Sequence, residues 1–190
     1  MRIDLYWVET VSGPPLPWSL GRVYAVGGRP RDVAGALSTR EPGAECVLFW
    51  DAALGPPDEA GASAAAETPG DVWHAGLALG MAGLPRMIDF VDPVWRFNRD
   101  PDSDVVATSW RLPLRACLAR STVLERLGGP DPHFETLAAA SLEMGHRWIR
   151  AGALMRHVAG LVPPGGRATQ RSSLPLADEI RFLRLRYGRM

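Results

Sequence analysis

Lysine is absent from this chain of 190 residues; every one of its 21 basic residues is arginine. Asparagine and glutamine occur once each, as Asn98 and Gln170, beside 20 glycines and 17 prolines. Coding bias in a GC-rich, bacterial-type genome explains this pattern, so no arginine marks a phosphate site by its identity alone. Without lysine there can be no Gly-x-x-x-x-Gly-Lys phosphate loop. Gly-x-Ser-x-Gly is missing, as is His-x-Glu followed by Cys-x-x-Cys, which leaves kinase, serine hydrolase and deaminase chemistry without a motif. The two cysteines, Cys46 and Cys117, cannot frame a zinc site. Both lie in apolar runs, where a free thiol behaves as a small hydrophobe, and this usage fits a reducing, cytoplasmic compartment. No segment approaches the roughly 20 apolar residues of a membrane span, and the N-terminus lacks a signal-type apolar core. A soluble protein is expected. Acidic residues also number 21, for a net charge of zero, so the basic field of a nucleic-acid binder is lacking too.

What is present alternates between strand-like and helix-like segments. Residues 2–10 alternate polar and apolar, and residues 22–26 form a second β-prone run. Val33, Ala36 and Leu37 suit a helix over 31–40, stopped by Pro42-Gly43. Cys46–Trp50 is an unbroken apolar run, the mark of a strand buried on both faces. It ends at Asp51, placing a carboxylate where open α/β sheets bind their ligands. Residues 54–70, rich in Gly, Pro and Ala, read as a mobile loop. Asp71 is expected to cap a helix over 72–81. A polar turn at Asp100–Asp104 follows Trp95 and Phe97; it reads as a solvated turn because it lacks the glycine and distant glutamate of a calcium loop. Residues 114–119 read as a strand and 123–127 as a helix capped by Ser121 and halted at Gly128-Gly129. A long helix is expected over 134–151, then a strand over 154–158, a linker over 163–175 and an amphipathic helix over 176–187. Such alternation predicts an α/β layered fold.

Two segments resemble the family 2 glycosyltransferases, enzymes of the GT-A fold that move a sugar from a nucleotide-sugar to an acceptor. Glu45-Cys-Val-Leu-Phe-Trp-Asp-Ala-Ala-Leu-Gly-Pro-Pro-Asp58 is similar to the family's strand leading into Asp-x-Asp. Cys117-Leu-Ala-Arg-Ser-Thr-Val-Leu-Glu-Arg-Leu-Gly-Gly-Pro-Asp-Pro-His-Phe134 is similar to its Gly-Gly passage, whose following helix ends in Arg-x-x-x-Ala-Gly, here Arg147–Gly152. The resemblance runs from about residue 31 to about residue 165. It implies a GT-A-like, Rossmann-like and mostly parallel sheet flanked by helices over residues 1–162, with residues 163–175 as linker and 176–190 as a C-terminal helix. It further implies a nucleotide-sugar donor, a glycan or lipid-linked acceptor, and Mg²⁺ or Mn²⁺ on the diphosphate. Asp51, with Asp58 or Glu59 reaching in, would face that metal, and Arg120 or Arg147 would stabilise the leaving diphosphate.

The chain departs from the family pattern at its acids. The second Asp-x-Asp position is Ala53, and the acidic pair of inverting members falls on Ala140-Ser141. Glu143, at a further acidic position, and Glu135 remain as candidate general bases. Other readings are structural. Asp131 suits a turn, and His74, His133 and His146 lack the spacing of metal ligands. Trp50, Trp73 and Trp148 suit a core, whereas Trp18, Trp95 and Trp110 lie in loop-like contexts where a ring can stack on a sugar. Arg181, Arg184 and Arg186 could meet an anionic inner-membrane surface, but they suit a solvated helix face or a domain contact better. Two functions therefore stand: a compact glycosyltransferase, and a GT-A-like domain that has lost catalysis and binds or scaffolds beside a partner transferase.

Overall fold

A computed structural model describes residues 1–8, 17–75, 108–162 and 174–188. Its sheet contains β1 (Ile3–Val8), β2 (Val23–Val26), β3 (Cys46–Asp51), β4 (Val72–His74), β5 (Ala116–Arg120) and β6 (Met155–His157). The helices are α1 (Pro30–Ser38), α2 (Glu59–Glu67), α3 (Ser121–Leu127), α4 (Leu137–Arg150) and α5 (Leu176–Tyr187). The strand order is β2-β1-β3-β5-β4-β6. Pairing is parallel for β1 with β2, β1 with β3 and β4 with β6, while β5 runs antiparallel to both its neighbours. The fold is therefore α/β with a mixed sheet: five strands share one direction and β5 alone is reversed.

Both faces of the sheet are covered, which is why β3 carries no polar residue until Asp51. Ile3, Leu5, Leu48, Trp50 and Trp73 pack on one face with Ala62, Ala65 and Ala66 of α2. Tyr6, Val47 and Phe49 pack on the other with Val33 of α1, Val123 of α3 and Met144 and Trp148 of α4. A further layer forms where Phe182 and Leu183 of α5 meet Ala139, Ala140 and Leu142 of α4. Burying each of those two side chains contributes about 1.5–3 kcal/mol. Double coverage also buries all six residues of β1. Asp4 is tolerated there because Arg2 donates two hydrogen bonds to it, at 3.1 and 3.2 Å, and the Arg22 N–H a third at 3.0 Å.

Several local expectations are corrected. The segment read as a mobile loop holds α2: Asp58 caps it by accepting the Ala60 N–H, and the alanines that follow are the strongest helix formers. Val72–His74 is a strand, not the start of a helix, and Asp71 accepts from the Leu154 N–H at 2.8 Å. The rest of that expected helix, with the turn at Asp100–Asp104 and Trp95, lies outside the described residues. Ser121 opens α3 from inside the helix, with Arg120 at the capping position. The long helix begins at Leu137, three residues late, because the Thr136 side chain caps it. Phe134 is left to pack beneath α5. Gly145 lets α4 meet the chain before β5; a Cβ there would lie 2.1 Å from the Trp110 carbonyl oxygen.

Candidate functional site

Strand order places Asp51 at a particular point. From β1 the chain moves outward to β2; from β3 it moves the other way, toward β4. The carboxyl ends of β1 and β3 thus flank a topological switch point, the crevice where open α/β sheets bind ligands. Val8 and Asp51 are register partners there. Asp51 is 1% exposed, so its charge must be satisfied locally. One carboxylate oxygen accepts the Ala53 N–H at 2.8 Å, capping a short 3₁₀ turn over Ala52–Leu54. The other accepts from Arg115 Nε in an ion pair. The Arg115 carbonyl in turn accepts the Asp51 N–H at 2.8 Å, so the two residues are joined through main chain and side chain.

Arg115 did not stand out in the sequence. It follows Pro113 and Leu114 and directly precedes β5, and only the antiparallel register of β5 on β3 brings it opposite Asp51. His157 was missed for a similar reason. It is the register partner of His74 across β4 and β6, with both rings fully buried and their centroids 5.7 Å apart. His74 Nε2 lies 3.1 Å from the Ser109 carbonyl. Burial, aided by the charge His157 can carry, lowers its pKa to about 4.

The other candidate residues are placed elsewhere. Glu143 is 1% exposed on α4, paired with Arg147 at 3.2 Å and with Arg186 of α5 at 2.6 Å. Arg147 is saturated: besides Glu143 it donates to the carbonyls of Leu127, Gly128 and Gly129, closing the Gly-Gly turn. Arg120 donates to the Gly70 and Ala66 carbonyls and stacks over Trp73, so it too serves the fold. Asp58 is the N-cap of α2 and Glu59 its first residue; Glu59 accepts from the Ser19 N–H at 2.7 Å.

Glu135 is exposed and borders a groove of about 320 Å³ that it shares with His133, Arg181 and Arg184. Asp131 accepts from His133 and from Arg181, and although partial burial opposes it, those hydrogen bonds lower its pKa. Asp178 accepts the N–H groups of Glu135 and Thr136, so α5 caps the entry to α4. Arg181 and Arg186 are thus paired within the molecule, with Asp131 and Glu143; Arg184 is exposed. Trp18 and Trp110 are buried, the first donating to the Ile3 carbonyl and the second stacked on Phe182, which overturns their reading as sugar platforms. Trp50, Trp73 and Trp148 are core residues, as expected.

A hard divalent cation requires several free oxygens. Asp51 has both of its oxygens engaged, Ala53 has no carboxylate, and Asp58 is turned to its helix cap. Among the described residues no group of three or more His, Cys, Asp or Glu is arranged to hold a metal. The described acids do not fit the ion that the resemblance implies. No described helix is long and apolar enough to cross a membrane. Neither a family model nor a curated protein matches the chain.

Proposed function

We propose that this chain is a glycosyltransferase-like domain that holds a nucleotide-sugar at the crevice outside β1 and β3 and directs its sugar to an acceptor hydroxyl. The observation that carries this reading is the buried Asp51 at the switch point of the sheet. The Gly-Gly passage adds support, because Arg147 and Trp148 of α4 both bond its carbonyls, which makes turn and helix one unit. Of the two candidate bases, Glu135 is open to an acceptor and Glu143 is enclosed by Arg147 and Arg186, so Glu135 takes first place.

A second reading, a binding or scaffolding domain beside a partner transferase, is favoured by the sealing of Glu143 together with Ala53, Ala140 and Ser141 at the family's acid positions. One assay separates the two. The full chain is incubated with UDP- and GDP-hexoses and glycan or lipid-linked acceptors, and nucleoside diphosphate release is followed. A transferase releases it, and Glu135→Gln slows release by about 10²- to 10⁴-fold with donor affinity kept. Donor binding without release supports the scaffold.

A further inference from the structure

We infer that the Asp51 edge grips the diphosphate of a nucleotide through Arg115 and without a divalent cation; this rests on the nucleotide-sugar reading above. In a metal-dependent site a cation stands between carboxylates and phosphates. Here the positive charge beside Asp51 already belongs to the protein. A divalent ion on Asp51 would share a carboxylate whose oxygens already accept from Arg115 Nε and the Ala53 N–H, and would sit against a guanidinium of like sign.

Arg115 is built to receive an anion instead. Its main chain is bonded to Asp51 and its Nε is held by the same carboxylate, so the guanidinium plane is oriented before any ligand arrives. The terminal Nη groups carry the rest of the donor fork. Among the described residues they have no protein partner, and the side chain is 23% exposed. A planar fork of this kind matches two phosphate oxygens. Asp51 thereby becomes a positioning residue: it orients the arginine and does not itself meet the phosphate. The reversed direction of β5 delivers this arginine to the carboxyl edge of the other strands, at the switch point where a nucleotide would lie.

The test is calorimetric titration of the full chain with pyrophosphate, UDP and GDP, in EDTA and again with Mn²⁺. At least one nucleoside diphosphate is expected to bind in EDTA, with Mn²⁺ changing its affinity less than about threefold. Pairing Arg115→Gln with Asp51→Asn leaves no unpaired buried charge and should weaken binding by about 10- to 100-fold at an unchanged urea midpoint. Should that variant lose cooperative unfolding, Arg115→Lys carries the same test, since it keeps the charge and loses the fork. Binding seen only with Mn²⁺ would overturn the inference and leave the nucleotide-sugar reading standing, as would EDTA-resistant binding that ignores both variants. No binding of any of the three under either condition would overturn the reading itself. Pyrophosphate bound as tightly as UDP and GDP would support the arginine grip and assign the recognition to the phosphates alone.

Discussion

Two carboxylates in this molecule are buried to the same degree, and each is paired with arginine, yet their surroundings differ. Asp51 meets a single arginine whose donor fork is only partly used. Glu143 lies between two: Arg147 has its donors committed to four acceptors, and Arg186 arrives from a helix packed over the site. The first pair has capacity left for a ligand. The second resembles a rivet, holding α4, α5 and the Gly-Gly turn together. Burial and ion pairing are therefore common to both acids; what differs is the arginine beside each, with part of the Arg115 fork unused and Arg147 committed on every side.

If that contrast is right, disturbing the helical layer should move stability and leave nucleotide affinity alone. The largest effect is expected for Gly145→Ala. Its Cβ would drive into the Trp110 carbonyl, and chemical denaturation should show a loss of about 3 kcal/mol or more. Glu143→Ala follows at about 3 kcal/mol, because Arg147 and Arg186 would face each other without a counter-charge. Were Glu143→Ala to spare stability but abolish nucleotide binding, the comparison would be reversed.

A third effect belongs to the sheet. The folded pKa of His74 is about 4 against an ordinary 6.5, so between these values only the unfolded chain takes up the proton. Stability should fall as pH drops from about 6.5 to about 4, by up to about 3 kcal/mol from this group, and level off below. Urea midpoints across that range, wild type against His74→Gln, should differ in slope by this contribution. The smallest effect is reserved for Glu135→Gln on the exposed rim of the groove, within about 0.5 kcal/mol of wild type. A larger shift would place Glu135 among the structural acids with Glu143.

The sequence exposed those elements whose signal is local. The apolar run of β3, the stop at Gly128-Gly129 and the amphipathic α5 were legible because composition and punctuation agreed. The α2 segment misled because its glycines and prolines hid an alanine-rich helix with its own cap. Val72–His74 misled because three residues carry no period, and only pairing with β5 and β6 makes them a strand. Asp51 was legible as the end of a buried strand. Its partner was not, because Arg115 lies 64 residues away and meets it through register alone.

The reversed β5 also bears on how the molecule comes to be made. β3 and β4 follow each other in the chain but are not neighbours in the sheet; β5 inserts between them. The first three strands can pair as soon as they emerge from a ribosome. β4 has to wait some 40 residues more for its partner, a few seconds at ordinary elongation rates. Until then Trp73 and the open edge of β3 are exposed to wrong partners. The clasp between Asp51 and Arg115 closes only when β5 docks on β3, so a chain able to hold an anion at this edge is one whose two half-sheets have already been joined.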